Sequence, residues 1–223
     1  MKNKKWAGLL ITGILTVVLS GCGVAARIEF PDAEAAKEAL DTASNVHFSG
    51  DIEDVNQSTN ILVNEKVAGY MEESGFVNTR WTVSVDDKTW FYVKPVTSGP
   101  ITEDEEDIAK ASTFGYYDEN DNCLGYAQER ARRSEEGSNY YIYYLDADGN
   151  PKDYYTDEYG TYTYDGEGNI IATGTAKMNG ISSCYVQIDM EEGCDTQIDF
   201  MDKMAMYIAL YDELYDVNKR QQN

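Results

Sequence analysis

Arg80-Trp-Thr-Val-Ser-Val-Asp-Asp-Lys-Thr-Trp-Phe-Tyr-Val93 is the stretch from which the fold is read. Two runs of β-branched and aromatic residues flank Asp86-Asp87, a pair suited to a tight hairpin turn. With the turn there, Val85 faces Lys88, Val83 faces Trp90 and Trp81 faces Tyr92. Those six side chains share one face; Thr82, Ser84, Thr89 and Phe91 share the other. The spacing predicts an antiparallel hairpin with Trp90 as a core anchor.

The same grammar recurs downstream. Tyr117-Asp-Glu-Asn-Asp-Asn122, Leu145-Asp-Ala-Asp-Gly-Asn150 and Tyr164-Asp-Gly-Glu-Gly-Asn169 align without gaps, and tyrosine-rich runs surround them. Asp, Asn and Gly supply turn conformations, and Tyr and Ile suit strands, so three more hairpins are expected. Upstream, Val46, Phe48, Gly50 and Ile52 alternate with polar residues as in a half-buried strand. Ile61–Val63, Val67–Met71 and Ser182–Met190 are further strand candidates. Thr102 with Glu105 reads as a helix capping box or as a solvated acidic loop.

Helices are expected at both ends. Asp32 is placed to cap a helix whose Ala33, Ala36, Leu40 and Ala43 fall on one face. From Thr196 to Val217, Ile198, Met201, Met204, Ile208, Tyr211 and Tyr215 recur at threes and fours, an amphipathic stripe of core type. The fold class expected is α+β: an antiparallel sheet of several hairpins packed with an N-terminal helix and a long C-terminal helix. Residues 22–31 read as a tether, 32–217 as one domain, and 218–223 as a frayed tail.

The 223 residues carry 18 Lys+Arg against 40 Asp+Glu, a net charge of −22. Such a chain offers no clustered cations for a phosphate backbone, so nucleic acid is not an expected partner. His47 is the single histidine. It lies on the polar face of its strand with no local nucleophile or orienting acid, so no enzyme is expected. An EF-hand reading of the aspartate turns fails, because Pro151 stands where such a loop needs glycine, which leaves plain turn chemistry favoured over a weak calcium site formed by these acids. No cofactor or metal is expected. Cys184 and Cys194 are spaced either to close a small disulfide loop or to remain buried thiols.

The first residues carry an address. Lys2, Lys4 and Lys5 precede the apolar run Trp6–Leu19, which is shorter than the roughly 20 residues a spanning helix needs. Leu19-Ser20-Gly21-Cys22 follows and resembles the lipobox of bacterial lipoprotein precursors. That resemblance implies cleavage before Cys22, a thioether-linked diacylglycerol with palmitate-type chains on Cys22, and a place on the extracytoplasmic face of the cell membrane. The cleaved chain would hold 15 basic and 40 acidic residues, a net −25. Such a body is repelled by an anionic membrane surface and stands off on its lipid.

Two weaker resemblances concern the body. Ala33–Ala43 leading into Asn45-Val-His-Phe-Ser49, with Ser84-Val-Asp-Asp-Lys-Thr-Trp-Phe-Tyr92, is similar to lipoprotein carriers of the LolA/LppX type, with Asp87 where they have Gly. It implies a curved antiparallel sheet sheltering acyl chains. Gly160-Thr-Tyr-Thr-Tyr-Asp-Gly-Glu-Gly-Asn-Ile-Ile-Ala-Thr-Gly174 resembles the cell-wall (choline) binding repeats of Gram-positive surface proteins, with Thr175 where they have Trp. The function expected is non-catalytic binding at the cell surface. In one form a lipid or other apolar small molecule occupies a pocket; in the other, the tyrosine-rich hairpins contact glycan or protein. The ligand-contacting residues expected are Trp81, Trp90, Tyr92, Tyr140 and Tyr144. Alternation would place Tyr141, Tyr143 and Leu145 inside and leave Tyr140 and Tyr144 partly exposed.

Substituting Cys22→Ala should abolish signal cleavage and metabolic lipid labelling together. Normal processing with retained label would show that the anchor lies elsewhere.

Overall fold

The structure is a computed structural model that describes residues 27–51, 58–75, 79–97, 108–134, 137–179 and 183–221. Cys22 with its lipobox, and the Thr102–Glu105 cap, lie outside the described residues. Among the described residues, two helices and twelve strands follow in order. They are α1 (Ala33–Thr42), β1 (Asn45–Asp51), β2 (Ser58–Val63), β3 (Lys66–Ser74), β4 (Arg80–Val85), β5 (Lys88–Pro95) and β6 (Ile108–Tyr117). Then come β7 (Cys123–Ser134), β8 (Gly137–Asp146), β9 (Pro151–Asp157), β10 (Tyr162–Asp165), β11 (Ile170–Asn179), β12 (Ser183–Met190) and α2 (Phe200–Gln221).

Every strand pairs antiparallel with its neighbours in sequence, and β1 pairs with β12 from Asn45 opposite Asp189 to Asp51 opposite Ser183. The sheet is therefore a closed barrel. This corrects the expected α+β arrangement of a sheet packed with two helices. The hairpins are local and were readable; the β1–β12 closure joins the two ends of the sheet and has no local signal. Closure removes both sheet edges, which an open sheet of this length would otherwise leave unpaired.

Alternation sends apolar side chains into the lumen. In β12, Cys184, Val186, Ile188 and Met190 are buried, while Tyr185, Gln187 and Asp189 are half-exposed. In β1, Val46 and Phe48 point inward, and His47 pairs outside with Tyr185. The hairpin of β4 and β5 turns at Asp86 and Asp87, both at positive φ (52° and 58°). Its register differs from the expected one. A bulge between Val83 and Ser84 sets Val83 opposite Phe91, Thr82 opposite Tyr92 and Trp81 opposite Val93. Trp90 is the extra residue, so Phe91 rather than Trp90 takes the fully buried place.

Both helices serve the lumen. Asp32 caps α1, its Oδ1 accepting from the Ala35 N–H at 2.9 Å, and Ala36 and Leu40 are buried. Before α1, Glu29 N–H donates to the Val67 carbonyl, so part of the expected tether lies against β3. In α2 every residue from Asp202 to Ile208 is buried. Over these two turns the expected one-sided stripe is corrected, since the helix is enclosed on all sides there; farther along, Tyr211 and Glu213 are half-buried and Asp212 is exposed. Phe200 stacks on Trp90 at 5.4 Å and lies edge-on to Phe91, and Tyr207 packs on Phe48. On the β10–β11 side the backbone itself makes room. A Cβ on Gly160 would sit 2.6 Å from the Met206 carbonyl, and one on Gly174 2.6 Å from Leu210 Cδ1. These two glycines, which bound the stretch resembling cell-wall repeats, let the β10–β11 wall touch α2.

Phe91→Ala should cost about 3–5 kcal/mol in denaturant unfolding. Trp90→Ala should cost less, because Trp90 is only half-buried. The reverse order would contradict the bulged register.

Candidate functional site

Asp202 and Lys203 of α2 are buried in the lumen, and each meets groups from another element. Lys152 Nζ, from β9, reaches Asp202 Oδ2 at 2.6 Å and Asp199 Oδ2 at 2.5 Å. The Tyr154 hydroxyl donates to the same Asp202 oxygen at 2.5 Å. Burial pushes the Asp202 carboxyl above its ordinary range, against the pull of Lys152. Burial opposes the charge on Lys152, yet the Asp202 and Asp199 carboxylates outweigh it and raise its pKa. Lys203 Nζ sits 3.3–3.4 Å from the Leu40, Asp41 and Ala43 carbonyls at the end of α1. A cation there meets the negative end of the α1 dipole. Desolvation nevertheless lowers its pKa to about 8.

Beside α2 the packing falls short. A cavity of about 310 Å³ lies between the helix and the inner face of β6–β8. Phe114, Ala127 and Ile142 form its wall, and Ala205, Ile208 and Ala209 its helical side. Four carboxylates line it as well: Glu129, Glu158, Asp212 and Glu213. Ser112 Oγ donates to Glu129 Oε2 at 2.7 Å, fixing that carboxylate. The inward-facing residues one step along β6 and β8 are Tyr116 and Tyr144, both buried. The Tyr144 hydroxyl pairs with Thr156 Oγ1 at 2.7 Å, which continues to Thr163 at 2.8 Å and Met206 of α2. Tyr116 Oη and Asp202 Oδ1 are buried with no hydrogen-bond partner among the described residues.

Only some of the expected contact residues lie near this cavity. Trp81 is buried in the lumen, edge-on to Phe114 at 5.7 Å, so it touches the cavity wall. Tyr144 lies in the layer next to the wall. Trp90 packs instead on Phe200 and under Lys37 near α1. Tyr92 is on the outer face, hydrogen-bonded to Asp121, stacked on Tyr117 and covered by Arg80 at 3.5 Å. Burial first, then Asp121, raises its hydroxyl pKa to about 12. Tyr140 is half-buried opposite Ala131. The expected alternation in β8 is reversed at Ile142–Tyr144, where Ile142 and Tyr144 belong to the core and Tyr143 to the outer face, because Tyr144 finds a threonine partner inside; Leu145 is buried as expected, past a shift in the β8–β9 register.

The outer face carries a tyrosine ladder. Tyr143, Tyr155 and Tyr164 stack across β8, β9 and β10 at 5.8 Å and 5.3 Å, with interplanar angles of 24° and 25°. Tyr141 meets Tyr155 edge-on, and Arg130 lies over Tyr143 at 5.3 Å. The ring faces are therefore occupied by one another, and the ladder presents edges and hydroxyls.

The three aspartate turns share one geometry. Oδ1 of Asp118, Asp146 and Asp165 each accepts two backbone N–H bonds at 2.8–2.9 Å. Oδ2 of each accepts from the Asn side chain four residues on. Both oxygens are committed to the turn, which accounts for the repeat without a cation. The Asn amide first, and the backbone N–H groups with it, hold each carboxyl below its ordinary pKa. No disulfide joins Cys184, buried in β12, to Cys194 in the turn before α2. His47 Nδ1 pairs with the Tyr185 hydroxyl at 2.8 Å on the outer face, and burial lowers its pKa.

Lys152→Met would leave Asp202 buried without its cation and should cost about 3–5 kcal/mol. Adding Asp202→Leu should recover much of that loss; a purely additive double variant would mean the pair is not coupled. A second expectation concerns pH. A lowered carboxyl pKa adds stability above the ordinary carboxylate range, and that stability is lost as pH falls through the lowered value. Asp146→Asn keeps the Oδ1 acceptor and removes the charge. Its unfolding midpoint should lie below that of the unsubstituted chain at pH 7, and the gap should close below about pH 4. A gap independent of pH would contradict the assignment.

Comparison with protein-family models, with curated proteins and with solved structures finds no match to this chain.

Proposed function

We propose that the chain is a lipid-anchored, extracytoplasmic binding protein that takes a small, largely apolar molecule into the cavity between α2 and β6–β8. The cavity carries this reading. Its volume of about 310 Å³ is at the lower end of the roughly 300–1,000 Å³ usual for small-molecule sites. A water molecule or a methylene occupies about 30 Å³, so it holds on the order of ten chain atoms. That suits one short chain or ring, not the paired acyl chains of a phospholipid.

The rest of the barrel is consistent with a scaffold. Asp202, Lys152 and Lys203 are engaged in holding helices and strands, which supports binding over catalysis. His47, Lys177, Gln187 and Asp189 point outward while the lumen is filled mainly by apolar side chains, the reverse of the pattern in a membrane-spanning barrel. Attachment to a membrane would then rest on Cys22. The second reading, contact of the tyrosine hairpins with glycan or protein, is favoured by the outer row of Tyr143, Tyr155 and Tyr164. Sugar stacking wants open ring faces, and in that row the faces are taken.

The test uses the mature chain produced unacylated, with the smaller neutral fluorophore 1-aminonaphthalene as probe. Saturable enhancement of probe fluorescence at one site is expected, with a change in Trp81 emission in the Trp90→Phe variant. Ala127→Leu, which narrows the cavity, should weaken binding at least tenfold. Absence of saturable binding, or binding unaffected by Ala127→Leu in a folded variant, would overturn the proposal.

A further inference from the structure

We propose that Lys152 and Asp202 condense, with loss of one water, into an amide that ties β9 to α2. The ion pair described above is the reactant. Lys152 Nζ lies 2.6 Å from Asp202 Oδ2 and 2.5 Å from Asp199 Oδ2. At hydrogen-bonding angles the first contact sets Asp202 Cγ about 3–3.5 Å from Nζ, the separation from which an attack begins. The two residues are 50 positions apart, on a strand and on the lumenal helix, so the bond fastens that helix to the barrel wall. The exposed pair of Lys37 and Glu34 lacks this setting, because water stabilises its separate ions.

The surroundings divide the roles. Asp202 is wholly buried, whereas the Asp199 side chain is 58% exposed, so Asp202 is the carboxyl that reacts. Burial opposes the charge on Asp202 and on Lys152 alike. Two charges withdrawn from water are costly even when paired, and a neutral amide in their place removes that cost. A proton passing along the Nζ–Oδ2 hydrogen bond turns the ion pair into amine and carboxylic acid. The amine lone pair attacks Cγ, the Nζ–Cγ bond forms, and the carbonyl π pair moves onto Oδ1. The Tyr116 hydroxyl, buried beside Asp202, is the donor for the charge at Oδ1. The Asp199 carboxylate takes a second proton from Nζ and passes it to Oδ2. The Tyr154 hydroxyl already donates to Oδ2 at 2.5 Å and supports its departure. Oδ2 leaves as water, the pair on Oδ1 restores the C=O, and Asp199 is regenerated. One ammonium and one carboxylate become one amide and one water, with no other reactant. Well-oriented groups held in this way reach effective concentrations of roughly 10⁵–10⁸ M, which offsets the preference for separate ions in water.

The test is the intact mass of the mature, unacylated chain in denaturant, followed by peptide mapping. The mass should lie one water below that of the sequence. Trypsin should fail to cut after Lys152, and fragmentation should give a branched peptide with Lys152 joined to Asp202. Lys152→Arg keeps a cation that does not form this amide and should show the full sequence mass. Asp199→Ala should leave most of the folded chain at the full sequence mass. An unsubstituted chain at full sequence mass would overturn the proposal. So would a water loss that maps elsewhere, such as a succinimide at Asp165-Gly166, or one that persists in Lys152→Arg. Complete conversion in Asp199→Ala would overturn the proton path assigned to Asp199. None of these outcomes depends on whether the cavity binds a ligand.

Discussion

Twelve strands enclose more space than their own side chains can fill, and that constraint governs the rest of the molecule. A barrel of about eight strands is just filled by its inward residues. A wider one must hold water, a ligand or a piece of its own chain. Here α2 is that piece. Val46, Phe48, Val83, Phe91 and Ile188 would line an open tube without it; with it they belong to one continuous core. The requirement explains the buried Asp202 and Lys203. From Asp202 to Ile208 the helix has no solvent face, so the polar residues of that stretch need partners from the wall and from α1. It also explains Gly160 and Gly174, where helix and wall come too close for a Cβ.

A helix is a straight cylinder and fills a barrel unevenly. Bulky residues meet the β5 and β1 side, where Phe200 and Tyr207 pack on Phe91 and Phe48. Small ones meet the β6–β8 side, where Ala205 and Ala209 face Ala127. The cavity is the volume these alanines leave. Its acids arise from the same geometry, since Asp212 and Glu213 stand on α2 a turn or two beyond Ile208. The cavity and the core are therefore one construction, differing in where side chains are large and where they are small.

How far the sequence revealed this follows from the range of each interaction. Asp32 as a helix cap, Asp86-Asp87 as a turn and the three aspartate turns were legible, because each depends on residues within five positions. The bulge at Trp90 was not, because it reflects packing against Phe200, more than a hundred residues away. The face of Tyr144 was misread for a related reason: burial of a hydroxyl depends on a partner, Thr156, that only the β8–β9 pairing brings to it. Barrel closure and the lumenal place of α2 were hidden most deeply. The periodicity of Met204, Ile208 and Tyr211 is that of a surface helix, and only the enclosing strands reveal that Asp202 and Lys203 are buried too. Of the expected contact residues, Trp81 alone touches the cavity wall. The alanines that create the cavity give no signal in a sequence, since small residues are common everywhere.

Native-state hydrogen exchange on α2 tests the central claim most directly. If the helix is the barrel's core, the amides from Asp202 to Leu210 exchange only through global unfolding, with the same free energy as the paired amides of β1 and β12. If those amides exchange through local openings of lower free energy while β1 and β12 remain protected, the helix is an appendage and the account of the fold and its cavity is wrong.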